Sequence, residues 1–391
     1  MAERGDDRIG FGAVVGLGAI VLATFVAVTT EIVPVGLLPQ LSRAFDVPTS
    51  VAGLLVTVYA GLVVVLAVPL TRVTGRWPRK PMVLATIALY CVGNLVIALA
   101  PSFAVVCAGR VIGGVAHALF FSVSNAYASA LVPRRLQGRA LAIASAGGSI
   151  GYVLGVPLVT SIGSALDWRA AFGALAIGGV LVVLVVLVAL PAVGPSAPPA
   201  PEARRPSGAL VGAAGVNALA FFGHYVLYTY VSVLLLQSGV PEVALGAALF
   251  LFGAAGIVGV WLSGLVIDRR PRAGFLAALA LAAVSTGSLL LLDGSTGGAL
   301  AATSAWVIGF GGIPVFCAAA CIRSGVLSND LAAAVNNSAA NLGIGLGAAV
   351  GGLVFALVGT PGVITVAAAS FAAAAVLTVL LRGSFPARAT A

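Results

Sequence analysis

Apolar runs of roughly 20 residues or more follow one another almost from end to end of this chain, each able to cross a hydrocarbon core about 30 Å thick. They fall near residues 11–40, 48–73, 81–100, 103–131, 138–163, 168–190, 208–238, 242–267, 273–292, 297–322, 330–358 and 361–382. Lipid requires every backbone polar group to be paired internally, which leaves helices or a closed barrel. The length of the runs and their lack of two-residue alternation select helices. The expected fold is therefore all-α and integral to the membrane, with twelve transmembrane helices and no room for a soluble domain. Composition agrees: 61% of residues are hydrophobic and 8% charged, against about 25% charged in soluble domains. The first run is too long for a cleaved signal peptide, carries Glu31, and reaches Pro34 and Pro39 without a small-residue cleavage site.

A formal net charge of +9 raises nucleic acid as a partner, but the distribution of the charge argues against it. With the N-terminus inside, the cytoplasmic segments hold Arg4, Arg8, Arg72, Arg76, Arg79, Lys80, Arg134, Arg135, Arg139, Arg204, Arg205, Arg269, Arg270, Arg272, Arg323, Arg382 and Arg388. The opposite loops hold only Arg43 and Arg169. This is the positive-inside asymmetry. It implies a multi-pass protein with both termini cytoplasmic, whose surroundings are lipid and not nucleic acid; the bacterial inner membrane is the expected location. Cys91, Cys107, Cys317 and Cys321 all fall within spans and show no metal-ligand spacing. Packed thiols are the expectation, with no metal and no cofactor.

Between Leu190 and Ser207 the apolar pattern gives way to prolines with Glu202, Arg204 and Arg205. Such a stretch reads as a linker. It divides the chain into an N-terminal six-helix half at 1–190, a cytoplasmic proline-rich linker at 191–207 and a C-terminal six-helix half at 208–391. The halves carry matching features at nearly one offset. Arg76-Trp77-Pro78-Arg79 corresponds to Arg269-Arg270-Pro271-Arg272, and Gly147, Gly151 and Gly155 correspond to Gly343, Gly347 and Gly351. Small residues at four-residue spacing let helix backbones approach closely. Duplicated halves of one topology are an arrangement that transporters use around a midplane site.

Several stretches then resemble the major facilitator superfamily, and within it the twelve-helix drug:proton antiporter branch that includes sugar-efflux permeases. They are Thr30-Glu31-Ile32-Val33-Pro34-Val35-Gly36-Leu37-Leu38-Pro39 in span 1, Arg110 to His117 in span 4, Gly151 to Pro157 in span 5, Asp167 to Phe172 opening span 6, and Asn341-Leu342-Gly343 in span 11. The resemblance implies the major facilitator fold in two pseudo-symmetric six-helix halves. It also implies conformational roles for Gly151, Gly155 and Pro157. The superfamily's loop signature, G-x-x-x-D-R-x-x-R/K, is intact as Gly264, Asp268, Arg269 and Arg272. In the first half Thr71 and Gly75 replace its glycine and aspartate, while Arg76, Arg79 and Lys80 remain. The resemblance gives these loops a gating role; the alternative is a solvated basic loop that sets orientation.

Glu31 and Arg110 are charged side chains well inside spans, where charge is costly and functional by default. At about 1.5 Å per residue, Glu31 falls about 9 Å and Arg110 about 10 Å outward of the middle of its span. They can meet. A carboxyl's proton affinity responds in opposite directions to desolvation and to a nearby guanidinium, so Glu31 suits a proton carrier. A permanent structural pair with Arg110 is the alternative. His117 lies two turns beyond Arg110 on the same face. It is expected either to serve as substrate ligand and proton partner of Glu31 or to hydrogen-bond a neighbouring helix.

His224 stands at the same offset from Glu31 as the second basic loop from the first. Around it span 7 carries Asn217, Phe221, Tyr225, Tyr228 and Tyr230. Aromatic faces with a few polar handles suit flat or amphipathic ligands, although Tyr228 and Tyr230 also fit an interfacial belt. Asn337 and Asn341 in span 11 either line a cavity or lock helix packing.

These readings converge on a secondary transporter that moves a small-molecule substrate, drug-like and outward, in exchange for protons, as a monomer. Sugar efflux is the nearest alternative; an uptake carrier or a non-transporting sensor is more distant. A membrane enzyme is disfavoured by two histidines without a metal spacing, and nucleotide-driven pumping by the missing G-x-x-x-x-G-K-[ST] loop.

Overall fold

A computed structural model describes residues 11–74, 77–133, 136–191, 207–292, 294–325, 327 and 329–386, and all regular structure among them is helical. Among the described residues, twelve helices are long and apolar enough to cross a membrane. The order is α1 (Phe11–Ala44), α2 (Thr49–Thr74), α3 (Arg79–Ala98), α4 (Phe103–Ala130), α5 (Gln137–Ile150), a π-helical turn (Gly151–Gly155), α6 (Val156–Ala165) and α7 (Trp168–Ala189). Then come α8 (Gly208–Tyr228), α9 (Val231–Gln237), α10 (Leu245–Val266), α11 (Pro271–Ser288), α12 (Thr296–Arg323), α13 (Asn329–Val358) and α14 (Thr360–Leu380). Large apolar side chains face outward, as on α7 with Ile177, Leu181, Leu184 and Val188, while Thr, Asn, Arg and His are buried. That inversion is what a lipid solvent selects.

Two spans depart from the uninterrupted runs expected of them. The seventh, read as 208–238, breaks at Thr229 and Tyr230 into α8 and α9. There Thr229 Oγ1 donates back to the Tyr225 carbonyl at 2.7 Å, and the Tyr230 N–H bonds Leu227 in a tighter turn. Hydropathy continues across the break, so composition is blind to it. The fifth holds the π turn where Gly151 and Gly155 allow the backbone to widen.

By internal contacts the chain forms two compact units, Met1–Val33 with Leu62–Pro199, and Pro34–Gly61 with Ala200–Ala391. Except for Pro191 and Ser207, the 191–207 linker lies outside the described residues. In the first unit α5 and the π turn lie along α1. A Cβ on Gly147 would strike the Val21 carbonyl, one on Gly151 would come within 3.1 Å of the Phe25 carbonyl, and one on Gly155 would strike Thr29 Oγ1. In the second unit α13 lies along α8 in the same way, with Gly343 on Ala218, Gly347 on Phe222 and Gly351 on Val226. Both ladders advance four residues per rung on both helices, the spacing of a helix face. Neither helix pair could approach so closely with a larger residue at these rungs.

Candidate functional site

Span 1 can carry a buried polar site because its own backbone is interrupted. Proline has no N–H, so each proline inside a helix leaves the carbonyl four residues earlier without its intrahelical donor. In α1 those carbonyls belong to Thr30, opposite Pro34, and to Val35, opposite Pro39. Both residues are buried, and an unmet buried carbonyl costs about 1–3 kcal/mol. Each is met from another helix. Arg110 of α4 donates from Nη1 to the Thr30 carbonyl at 2.8 Å, and Ser232 of α9 donates from Oγ to the Val35 carbonyl at 2.7 Å. Pro314 similarly denies the Phe310 carbonyl its helical donor in α12.

Around the first of these points the first unit gathers a polar cluster. Arg110, 1% exposed, also donates from Nη2 to the Glu31 carbonyl at 2.9 Å. Its fork thus grips two consecutive carbonyls of α1, and its charge acts on the Glu31 carboxyl as well. The carboxylate faces His117, with Oε2 and Nε2 3.5 Å apart. That exceeds the roughly 2.7–2.9 Å of a formed charge-assisted hydrogen bond, so the carboxyl is near the imidazole without being locked to it. On the far side of the ring, His117 Nδ1 lies 3.0 Å from the Tyr90 hydroxyl of α3. One turn along α3, Asn94 Nδ2 donates to Thr30 Oγ1 at 2.9 Å.

A phenol can donate to an imidazole nitrogen or accept from it. The Tyr90–His117–Glu31 line can therefore hold a proton on either the carboxyl or the ring while keeping the far nitrogen satisfied. Tyr90 and Asn94 are absent from the residues singled out by sequence, and Thr30 enters there only as part of the span 1 motif. Tyr90 and Asn94, four apart in a largely apolar span, are the signal that could have found them.

In the second unit α8 presents Phe221, His224, Tyr225 and Tyr228 on one face, against Trp306 and Phe310 of α12. The His224 ring lies between Phe310, at 3.5 Å and 10°, and Tyr228, at 4.8 Å and 22°. Tyr225 and Trp306 edge it at 5.3 and 4.9 Å. Asn217, fully buried, donates to the Asn336 carbonyl of α13 at 2.9 Å. Asn341 donates to the Asn337 carbonyl of its own helix at 3.0 Å, and Asn337 itself is exposed. Tyr230 is buried, with its ring stacked on Phe355 at 4.7 Å.

The loop residues make contacts of their own. Arg79 is buried at the start of α3, and Lys80 donates to the Leu187 carbonyl at 2.8 Å. Arg76 lies outside the described residues. Gly264, Asp268 and Arg269 are exposed around the end of α10, and Arg272 donates to the Val379 carbonyl at 2.6 Å. Gly151, Gly155 and Pro157 are buried, and the π turn they bracket rests on the turn of α1 just before Thr30 and Glu31.

Known proteins share this architecture over nearly its full length. A bacterial homolog of the human lysosomal transporter Spinster, solved inward-facing and unoccupied, superposes with a TM-score of 0.81 at 15% identity, covering 97% of this chain and 99% of that one. In sequence, a chloramphenicol efflux pump of Mycobacterium tuberculosis is 32% identical over 357 residues, 87% of this chain and 85% of that protein. A probable sugar efflux transporter of Helicobacter pylori is 28% identical over 342 residues, 85% and 86% of the two chains. The family model described as Major Facilitator Superfamily matches residues 20–327. Twelve membrane-spanning helices, glycine ladders in both units and this match together make the chain a member of the major facilitator superfamily.

Proposed function

We propose that this transporter is a proton-coupled exporter of small, drug-like organic molecules, working by alternating access in the bacterial inner membrane as a monomer with both termini cytoplasmic. The observation that carries the reading is the buried Glu31 carboxyl set 3.5 Å from His117, in a helix turn that Arg110 clamps by two carbonyls. Arg110 spends its fork on the backbone. Glu31 thus remains near a fixed positive charge and an ionisable ring, which gives the proton two adjacent resting places. The chloramphenicol efflux pump among the similar proteins makes chloramphenicol the first compound to try.

Reconstitution in proteoliposomes with an imposed pH gradient tests this directly. Wild type is expected to accumulate substrate against its gradient when the trans side is acidic; counterflow that ignores the pH gradient would defeat the antiport reading. In Glu31→Gln, gradient-driven transport is expected to fall by about 100-fold or more, the lower end of the range for losing a proton-transfer group. Unaltered proton-driven accumulation in that variant removes Glu31 as the carrier.

Sugar efflux is a second reading, favoured by the amide oxygens of Asn94, Asn217 and Asn341. These residues are buried, and their Oδ1 atoms have no hydrogen-bond partner among the described residues. Sugar hydroxyls would supply the donors. Neutral sugars in the same assay decide between the two.

A further inference from the structure

We propose that the aromatic cluster of α8 and α12 is a binding subsite for an uncharged aromatic group that carries a hydrogen-bond acceptor, an inference that rests on the drug-efflux reading above and narrows its substrate class. Two polar atoms lead to it. His224 Nδ1 and Trp306 Nε1 have no hydrogen-bond partner among the described residues, although the side chains are in residues only 5% and 0% exposed. The two rings are neighbours, 4.9 Å between centroids. Each orphaned atom is a standing cost to the fold, and buried polar groups in native proteins are almost always paired. Two of them side by side mark a place made to be completed by something else.

The chemistry of the completing group follows from these atoms and their surroundings. The indole N–H is a donor only. Imidazole Nδ1 can present its proton, since no protein group fixes the tautomer from that side. The indole N–H asks for an acceptor, and Nδ1 joins it in the tautomer that carries the proton there. The walls are rings: Phe221 and Phe310 are half-buried, while Tyr225 and Tyr228 are buried behind them. Phe221 meets Phe310 edge-on at 5.1 Å. A flat ring entering beside them exchanges one aromatic contact for another.

A cation would also find aromatic faces attractive, but the charge around the cluster argues against one. The acidic side chains described in this unit, Asp46, Glu242 and Asp268, lie outside the helix interiors where the cluster sits: two are exposed, and Glu242 is half-exposed and paired with Arg43 at 2.6 Å. Among the residues of the unit whose burial is described, no carboxylate is buried to neutralise a cation.

Equilibrium binding to the purified protein in lipid nanodiscs, with no proton gradient, tests the subsite. The probes are 4-nitrobenzyl alcohol, 4-ethylbenzyl alcohol and 4-ethylbenzyltrimethylammonium, which share a ring and differ in acceptor or charge. The nitro compound is expected to bind about tenfold more tightly than the ethyl compound, as one or two hydrogen bonds to otherwise unmet groups would give. His224→Phe and Trp306→Phe each keep a ring and remove the nitrogen, and each is expected to reduce that preference to about threefold or less. The comparison on wild type decides the matter even if a variant fails to fold. Equal binding of the two alcohols, a preference undiminished in both folded variants, or tightest binding by the ammonium compound overturns the proposal. Loss of the preference sinks the subsite while proton-driven export stands. Gradient-independent transport sinks the export reading while the preference stands.

Discussion

Tyr90 acts on the Glu31 cluster through one atom, its hydroxyl 3.0 Å from His117 Nδ1. Tyr90→Phe keeps the ring that packs edge-on against Phe120 at 5.9 Å and removes that hydrogen bond. Folding stability is expected to drop by about 1–3 kcal/mol, the cost of depriving a buried polar group of a partner. If the line from Tyr90 to Glu31 carries or orients the proton, the pH profile of transport shifts as well, whereas a purely structural hydroxyl leaves that profile in place while thermal stability falls. Sequence could bring Glu31 and Arg110 to comparable depths and set His117 on the face of Arg110, because depth and face follow from counting residues along a span. It could not say which atoms meet. The Arg110 fork on the carbonyls of Thr30 and Glu31 depends on the azimuth of α4 against α1 and on a hydrogen bond that Pro34 removes, and neither is written in hydropathy.

At the scale of the helix, the glycine ladders set how near α13 comes to α8 and how near the fifth span comes to α1. Gly347 is the middle rung, where an added Cβ would lie 2.5 Å from the Phe222 carbonyl, a backbone atom that cannot step aside. Gly347→Val is expected to lower the thermal midpoint markedly or abolish expression, with a cost of at least the 1–3 kcal/mol of an overpacked site. Gly264→Ala is the counterpart: nothing lies within 4 Å of its added Cβ, so stability is expected to stay within about 0.5 kcal/mol. A transport defect in Gly264→Ala at unchanged stability would then speak for a conformational role of the α10–α11 loop. The ladders were legible because four-residue spacing maps to one helix face. The π turn at Gly151–Gly155 and the break at Thr229 and Tyr230 were not, since both preserve apolar character and change only which backbone bonds form.

For the molecule as a whole, the bilayer is the strongest organiser, and it is why twelve spans could be counted from composition alone. The two arginines on the side proposed to face outward are held by the protein itself. Arg43 pairs with Glu242 at 2.6 Å, and Arg169 donates to the Ala100 carbonyl at 2.9 Å while lying 4.2 Å over the Trp168 ring. The basic residues left to set orientation are thus concentrated on the opposite side. A fluorescent protein fused at the C-terminus is expected to fluoresce, and alkaline phosphatase fused after Asp46 to be active; the reverse pattern would invert the assigned topology.

The division of labour in α1 also has a bearing on descent. Pro34 and Arg110 lie on different helices and far apart in the chain, yet the proline creates the vacancy on the Thr30 carbonyl that the arginine fills. Pro39 and Ser232 form a second such couple through Val35. Each couple is a single heritable character spelled at two distant positions. A lineage that lost one member would be released from selection on the backbone contact of the other, so the prolines of the first span and their partners are bound to drift or persist together.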